Sequence, residues 1–316
     1  MTVSLRSALF ACAIAAAAAL SGCDSLGPAL RDQAYAMERH RAGLVRKELT
    51  LADGTRMVWL EGGSGAPLVL VHGFGADKDN FTRVARLLTP HYRVIAPDLV
   101  GFGESAHRDD VDYRYAAQAE RLRAFVQALG LSRIDLGGNS MGGGIAMSYA
   151  AQHPQEVASL WLIDCAGIAE APTSELAKIV TTTGENPLMI SKESDFPAFL
   201  NFVMSDPPYI PASVMDVLAR ERIANQALER QVFRQIATDS VSASVRGLAT
   251  PTLVTWGDED RALSVGTVPV LKTLLPNAQA VVMAHVGHAP MIERPRESAE
   301  DYLRFRAGLP AAVAAH

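Results

Sequence analysis

Short, continuously apolar runs alternate along the chain with longer stretches that are apolar on one side only. The run LVLVH after Pro67 is typical of a strand that is buried on both faces of a sheet. Similar runs recur in the segments YRVIAPD, IDLGG, VASLWLIDC and PTLVTWGDED. Amphipathic stretches with helical spacing lie between the earlier of these runs, up to VASLWLIDC. Strands that alternate with helices in this way predict a mostly parallel sheet with helices on both of its faces.

Two other regions depart from this alternation. The segment LVRKELTLADGTRMVWLEGG has two alternating runs around Asp53-Gly54, a turn pair that tolerates positive φ, and therefore predicts a β-hairpin. Residues 169–247 contain no continuous apolar run, only helical stretches interrupted by prolines. An all-helical insertion of this kind is typical of a cap over a pocket. We therefore predict a core formed by residues 43–168 and 248–316, with a helical cap between its two parts.

The N-terminal segment predicts a targeting signal rather than a folded element. Arg6 is followed by an apolar run from Ala8 to Leu20, which is shorter than the roughly 20 residues of a membrane-spanning helix and suits a secretory signal. The run ends in the sequence LSGC, which resembles the cleavage box of bacterial lipoproteins. That resemblance implies a signal peptide at residues 1–22 and a lipid attached to Cys23. An ordinary cleavage site after small residues is the alternative.

The same resemblance implies that residues 23–42 form a tether, with a helical stretch around Ala29–Arg41, and that the protein is anchored in the bacterial cell envelope. The formal net charge of -5 gives no reason to expect a surface for nucleic acid or for anionic lipid, so we expect membrane contact through the attached lipid. Cys12 lies in the signal peptide, which leaves Cys165 as the one unmodified thiol and excludes an internal disulfide.

The most specific motif is Gly138-Asn139-Ser140-Met141-Gly142, which matches G-x-S-x-G between a buried strand and a helix. In that context the motif forms a sharp turn that raises the serine above the carboxyl edge of the sheet. The turn crowds the residues two before and two after the serine, so both must be glycine. The N-terminus of the following helix favours a developing negative charge. The motif therefore predicts that Ser140 is a nucleophile.

A serine hydroxyl needs a base to accept its proton. In folds that present a serine on a turn of this kind, an acid and a histidine follow the serine along the chain. Histidines after Ser140 occur at four positions: His153, His285, His288 and His316. His288 lies in the loop between the last apolar run and the last predicted helix, where its ring can reach the serine. We therefore predict His288 as the base, with His285 at the end of the strand as the alternative.

Acidic residues follow the predicted strand in PTLVTWGDED, which is one strand earlier along the chain than the strand before His288. They are Asp258, Glu259 and Asp260, and all three qualify chemically as the group that orients the base. The sequence HGFG follows the first buried strand, where this type of fold places a loop that stabilises an oxyanion. We predict that the backbone N–H groups of Phe74 and Met141 donate to the oxyanion of a tetrahedral intermediate. The four elements stand in the order that a serine hydrolase of this type requires.

Five segments together resemble one family: HGFGADKDNF, DLVGFGES, GNSMGG, PTLVTWGDED and GHAPMIERP. They resemble the α/β-hydrolase superfamily, and within it the bacterial family V lipases and esterases and the related monoacylglycerol lipases, over about residues 43–307. The resemblance implies an α/β-hydrolase fold and an esterase or lipase that forms an acyl-enzyme on Ser140. It also implies Asp260 as the acid, because the acid of such hydrolases commonly stands three residues after the glycine. Asp258 is the reserve.

The substrates that the resemblance implies are lipid-like esters, either monoacylglycerols or short-to-medium acyl esters, which suit a cap rich in Leu, Met, Phe, Ile and Val. One alternative is a carbon–carbon bond hydrolase that acts on meta-cleavage products. That class shares GNSMGG but usually has a longer glycine-rich oxyanion loop and a tryptophan after the catalytic histidine. A haloperoxidase-like member of the same fold and a lipid-anchored binding protein are further alternatives.

No metal or organic cofactor is expected. His285 and His288 have the spacing H-x-x-H, but no third ligand stands at a suitable distance along the chain. The sequence GFGES is not followed by the Gly-Lys-Ser/Thr of a phosphate-binding loop. We therefore expect a small-molecule ester or lipid as the substrate, and the sequence indicates nothing about the oligomeric state.

Overall fold

The computed structural model describes residues 23–309, and their side chains from Gly27 onwards. The strands are β1 Leu44–Thr50, β2 Arg56–Gly62, β3 Pro67–Val71, β4 Arg93–Pro97, β5 Ile134–Asn139, β6 Val157–Ile163, β7 Thr252–Gly257 and β8 Ala278–Met283. They form one sheet in the order β1-β2-β4-β3-β5-β6-β7-β8. β2 pairs antiparallel with β1 and β4, and the other pairs of described strands are parallel. The mostly parallel sheet and the N-terminal hairpin are thus confirmed.

Helices cover both faces of this sheet. They are α1 Cys23–Arg41, α2 Thr82–Leu88, α3 Tyr115–Ala128, α4 Met141–Gln152, α5 Glu175–Thr183, α6 Asp195–Val203, α7 Ala212–Ala224, α8 Gln226–Ile236, α9 Ser242–Val245, α10 Thr267–Leu274, α11 Pro290–Glu293 and α12 Pro295–Ala307. Among these described helices, none has the length and apolar character needed to cross a membrane. The predicted signal peptide lies outside the described residues.

The sheet divides the apolar core into two clusters, one on each face. The sequence of β3 illustrates how one strand contributes to both. Leu68 and Leu70 point into an apolar cluster under α2 and α12, whereas Val69 and Val71 point into a second cluster under α3 and α4. Successive side chains of a strand face opposite sides of a sheet, so a strand covered on both sides must be apolar at every position. This burial explains the continuous apolar run that predicted the strand.

The segment between β6 and β7 forms a helical cap, as its sequence predicts. Helices α5 to α9 lie in this segment, and no strand occurs among its described residues. The cap helices α7 and α8 are separated at Asn225. The side-chain amide of this residue donates to the carbonyl oxygen of Gly101 at 3.0 Å. The break between α7 and α8 therefore fastens the cap to a loop of the core.

The N-terminal helix α1 is longer than the helical stretch that the sequence predicts, because it begins at Cys23. The helix packs on the cap helix α7: a Cβ at Gly27 would lie 2.6 Å from the carbonyl oxygen of Ser213. Arg31 of α1 forms an ion pair with Glu221 of α7. The predicted tether is therefore largely a packed helix, held by contacts to the cap that the sequence of the segment alone does not reveal.

Candidate active site

Ser140 occupies a strained turn between β5 and α4, with φ of 54° and ψ of -119°. A Cβ at Gly138 would lie 2.2 Å from the carbonyl oxygen of Gly142, and a Cβ at Gly142 would lie 2.1 Å from that of Val71. Real side chains cannot approach a carbonyl oxygen so closely, so both positions require glycine. The sharp turn predicted from G-x-S-x-G is therefore confirmed. A non-glycine residue at positive φ costs free energy that the surrounding structure must offset.

Backbone hydrogen bonds from the end of β6 hold this turn in place. The N–H of Ser140 donates to the carbonyl oxygen of Ile163 at 3.0 Å, and its own carbonyl oxygen accepts from the N–H of Ala166 at 2.9 Å. The side chain of Ser140 is partly exposed, although the neighbours on both sides are buried. The hydroxyl is therefore presented to the space under the cap on an otherwise fixed backbone.

The structure brings together His288 and Asp260, which the sequence predicts as base and acid. Nδ1 of His288 lies 2.8 Å from Oδ2 of Asp260. The other carboxylate oxygen, Oδ1, accepts from the backbone N–H groups of Ala262 and Leu263 at 2.8 and 3.0 Å. Asp260 is therefore arranged to fix the orientation of the His288 ring.

The alternative pair, Asp258 and His285, has a different place in the structure. Oδ1 of Asp258 accepts from the backbone N–H of His285 at 2.7 Å and so holds the loop after β8. The ring of His285 lies at the surface, where its Nδ1 is 3.0 Å from Oε1 of Glu259. Hydrogen bonding to this carboxylate raises the pKa of His285. Neither residue of the pair contacts His288 through its side chain.

Two residues that sequence reasoning did not single out position the His288 loop. The amide of Asn139 donates to the carbonyl oxygens of His288 and Ile163 at 3.1 and 3.2 Å, which ties the loop to the turn at Ser140. Glu293 accepts from the backbone N–H groups of the loop and of the segment after α6: Ser205, Asp206, Gly287 and Ala289. The signal for Glu293 was a lone acidic residue among the apolar residues of GHAPMIERP.

The predicted oxyanion loop HGFG lies directly against the serine. A Cβ at Gly73 would be 3.0 Å from Cβ of Ser140. Met141 is the first residue of α4, so its N–H has no partner within the helix. The N–H of Phe74 belongs to the loop after β3, on the same edge of the sheet. Met141 is thus the neighbour of Ser140 in the chain, and Phe74 directly follows Gly73, the loop residue that lies against the serine.

Buried polar residues give this loop its shape. Nδ1 of His72 donates to the carbonyl oxygen of Gly73 at 2.8 Å, while its Nε2 accepts from the N–H of Leu99 at 3.0 Å. Burial lowers the pKa of His72, which favours the neutral ring that this pair of bonds requires. A few residues later, the buried ammonium of Lys78 lies 2.8 Å from the buried carboxylate of Asp98. These residues support the loop rather than react.

Cap residues form an aromatic roof over the oxyanion loop. The ring of Phe74 meets the ring of Phe233 in α8 edge-on, with centroids 5.5 Å apart. The guanidinium of Arg222 in α7 lies 5.9 Å from the ring of Phe74 and 5.1 Å from that of Phe199 in α6. Arg222 also forms a buried ion pair with Glu229, at 2.6 Å. The roof is therefore mainly apolar, and Arg222 adds a cation that is paired with Glu229 but whose Nη1 is buried without a hydrogen-bond partner among the described residues.

A second carboxylate, which the sequence analysis did not predict, lies beside the His288–Asp260 pair. Asp164 follows β6, and one ligating atom each of Asp164, Asp260 and His288 lie within 4.8 Å of one another. Such a trio has the composition of a metal site, yet the oxygens of Asp260 already accept three hydrogen bonds from the protein. We therefore interpret the trio as an extended acid–base group.

Comparisons with known proteins agree with this geometry. The chain matches the family described as alpha/beta hydrolase fold over residues 66–295. It is 47% identical to Lipase 1 of Psychrobacter immobilis over 280 residues, which are 87% of this chain and 88% of the relative. A solved structure described as a membrane phospholipase A and bacterial virulence factor is 39% identical, with a TM-score of 0.89 over 96% of this chain and 99% of the other.

Two more distant relatives catalyse different reactions according to their names. Monoacylglycerol lipase abhd6-B of Xenopus laevis is 30% identical, over 78% of this chain and 77% of the relative. A 2-hydroxy-6-oxo-6-(2'-aminophenyl)hexa-2,4-dienoic acid hydrolase of Metapseudomonas resinovorans is also 30% identical, over 80% of this chain and 88% of the relative. The stronger similarity is to the lipases. The chain therefore belongs to the α/β-hydrolase family, and its kinship with lipases identifies it as a carboxylic ester hydrolase.

Proposed function

We propose that the protein hydrolyses lipid-like esters, monoacylglycerols or short-to-medium acyl esters, through an acyl-enzyme on Ser140. The observation that carries this proposal is the strained turn at Ser140, which Asn139 ties to the loop of His288, whose ring shares a hydrogen bond of 2.8 Å with Asp260. A nucleophile, a base and an oriented acid are the parts that acyl transfer requires.

The proposed reaction has two halves. Oγ of Ser140 forms a bond to the ester carbonyl carbon while Nε2 of His288 accepts the hydroxyl proton. The N–H groups of Phe74 and Met141 donate to the oxyanion of the tetrahedral intermediate. The bond to the alcohol oxygen then breaks, and His288 gives its proton to the departing alcohol. In the second half, water gives a proton to His288 and its oxygen bonds to the acyl carbon. The bond between that carbon and Oγ of Ser140 then breaks, and His288 returns the proton to Oγ, which releases the carboxylic acid and restores the serine.

The apolar roof supports a substrate with an acyl chain. Phe199 and Phe233 of the cap lie close to the oxyanion loop, so aromatic surface adjoins the place where the ester carbonyl would bind. Sites for apolar ligands are lined mainly by hydrophobic and aromatic side chains, with few polar groups. The names of the relatives, which include lipase, monoacylglycerol lipase and membrane phospholipase A, likewise describe enzymes that act on lipids.

A substrate panel tests this proposal. We expect the purified protein to hydrolyse nitrophenyl acyl esters and monoacylglycerols with a kcat/KM at least about 100-fold above that for a ring-opened meta-cleavage product, because the polar groups of the latter have no partners in an apolar roof. Steady-state rates over esters of increasing chain length measure this. A serine-directed fluorophosphonate probe should label the wild type and not Ser140→Ala. A higher kcat/KM for the meta-cleavage product contradicts the proposal.

The second candidate is carbon–carbon bond hydrolysis, and one observation favours it. The Metapseudomonas resinovorans relative, whose name describes that chemistry, covers 80% of this chain at 30% identity. The residue after His288 is Ala289, where the sequence pattern of that class usually has tryptophan. The panel separates the two candidates because they differ in the bond that is cleaved.

We further propose that Cys23 carries a lipid and anchors the protein in the bacterial cell envelope. The cysteine stands directly before the helix residues that pack on the cap, so a lipid there would hold the cap side of the protein near a membrane. In cells grown with a radioactive fatty acid, we expect label in the wild type, recovered in the membrane fraction. Cys23→Ser should carry no label, and a variant that is still labelled contradicts the attachment site.

A further inference from the structure

Asp164 stands at the end of β6 in an unusual backbone conformation. Its φ is 42°, one of three positive values among the described residues other than glycine. The N–H of Asp164 donates to the carbonyl oxygen of Thr255, at 2.9 Å, and its Oδ1 accepts from the N–H of Gly257 at 3.0 Å. Both contacts fasten β6 to β7, the strand that leads to Asp260. The position of this carboxyl group is therefore fixed from both sides.

The second oxygen of the same carboxyl group has no ordinary partner. Oδ2 of Asp164 is fully buried, and no donor within residues 27–309 reaches it. Ligating atoms of Asp260 and His288 lie within 4.8 Å of one of Asp164, and the negative charges of Asp260 and Glu293 both act on this carboxyl group. A buried carboxylate oxygen that faces other carboxylates, with no donor between them, is unfavourable. A proton on one of the carboxyl groups removes the conflict.

The surrounding donors decide which carboxyl group holds that proton. Asp260 already accepts three hydrogen bonds, from His288 and from two backbone N–H groups. Asp164 accepts a single one, from Gly257. Burial, followed by the charge of Asp260, raises the pKa of Asp164 well above its usual range. The shared proton therefore resides on Asp164.

We propose that Asp164 is a neutral carboxylic acid whose O–H donates to the carboxylate of Asp260, and that it is a positioning residue of the hydrolase site. This inference rests on the proposed triad, which it deepens. The bond holds the Asp260 carboxylate in place and withdraws part of its negative charge, so that the acid stays oriented toward the His288 ring.

Asp164→Asn tests the charge state. Asparagine keeps an acceptor for Gly257 and a neutral donor for Asp260, so we expect it to retain a higher kcat/KM on a nitrophenyl ester than a substitution of Asp164 that has no donor. The acidic limb of the pH profile, which reports the free base, should not move. If Asp164 were charged, removing a negative charge next to the base would move this limb to lower pH by about one unit or more. Such a shift overturns the proposal.

Asp164→Val tests the hydrogen bond, because valine has a similar volume and no donor. We expect kcat to fall about tenfold and the acidic limb to move to higher pH, since Asp260 regains its full charge. The asparagine variant should restore both values. A lower kcat with an unchanged pH profile in Asp164→Val, or equal loss in both variants, indicates a purely structural role and contradicts the proposal.

An infrared measurement keeps the test independent of turnover and of the valine variant. The difference spectrum between wild type and Asp164→Asn at neutral pH should contain the carbonyl stretch of one protonated carboxyl group; other protonated groups cancel. Bands of an ionised carboxylate in its place overturn the inference. This result stands even if Ser140→Ala retains activity, an outcome that would instead overturn the proposed triad.

Discussion

Ser140→Ala is expected to reduce kcat for nitrophenyl ester hydrolysis by about 10⁵- to 10⁶-fold, the loss that follows removal of the nucleophile from a serine hydrolase. Alanine keeps a Cβ, so the strain at φ of 54° and the hydrogen bonds of the turn to Ile163 and Ala166 are unchanged. The variant should therefore unfold at the wild-type temperature. Steady-state kinetics and thermal unfolding on the same sample measure both expectations.

Ser148→Ala is the matched control for this loss. Ser148 lies in α4 and is buried, and its hydroxyl accepts from the amide of Gln152 at 3.0 Å. It belongs to the helix that follows the nucleophile but touches neither the turn nor His288. We expect its kcat within about threefold of wild type, as for other substitutions that remove one hydrogen bond away from a site. Substantial turnover by folded Ser140→Ala would show that another group forms the acyl-enzyme.

Asp260→Asn is expected to lower kcat by about 10⁴-fold, although the side chain keeps its size. An amide can donate to Nδ1 of His288, which places the ring proton on the wrong nitrogen and removes the base that Ser140 needs. The loss of charge also leaves the imidazolium of the intermediate without its counterion. The measurement is kcat for a nitrophenyl ester, with thermal unfolding to establish that the loop of Ala262 and Leu263 remains folded.

Asp258→Asn is the control, because it changes the same chemical group two residues earlier. Within residues 27–309, the Asp258 carboxylate accepts only from the backbone N–H of His285, and this bond can be made equally by an amide oxygen. We expect a loss in kcat below about tenfold. If the loss in Asp258→Asn exceeds that in Asp260→Asn, the assignment of the acid is reversed, and the hydrogen bond between His288 and Asp260 has no catalytic role.

The turn at Ser140 could be predicted because its cause is local. G-x-S-x-G after an apolar run requires a backbone so tight that glycine is needed on both sides, and the contacts of Gly138 and Gly142 have that origin. The hairpin around Asp53-Gly54 and the helical cap were predictable for the same reason, since alternation and helical spacing are properties of neighbouring residues. These features are confirmed by the structure.

The acid could not be chosen from residue chemistry. Asp258 and Asp260 stand in one loop and differ in sequence position by two, so only the family resemblance favoured one over the other. The structure separates them because the chain turns: Asp260 is directed inward to His288, while Asp258 is directed to the loop after β8. Their catalytic roles remain to be measured by the paired asparagine variants.

The sequence by itself determined the order of strands and helices, the nucleophile turn, and the loops in which a base and an acid stand, because these depend on local periodicity and backbone sterics. Only the tertiary structure decided which groups share a hydrogen bond or a proton. Asp164 lies close to Asp260, although 96 positions of the chain separate them. Asn139 contacts His288 across 149 positions. Contacts over such separations arise from the pairing of β5, β6 and β7, which no local pattern encodes.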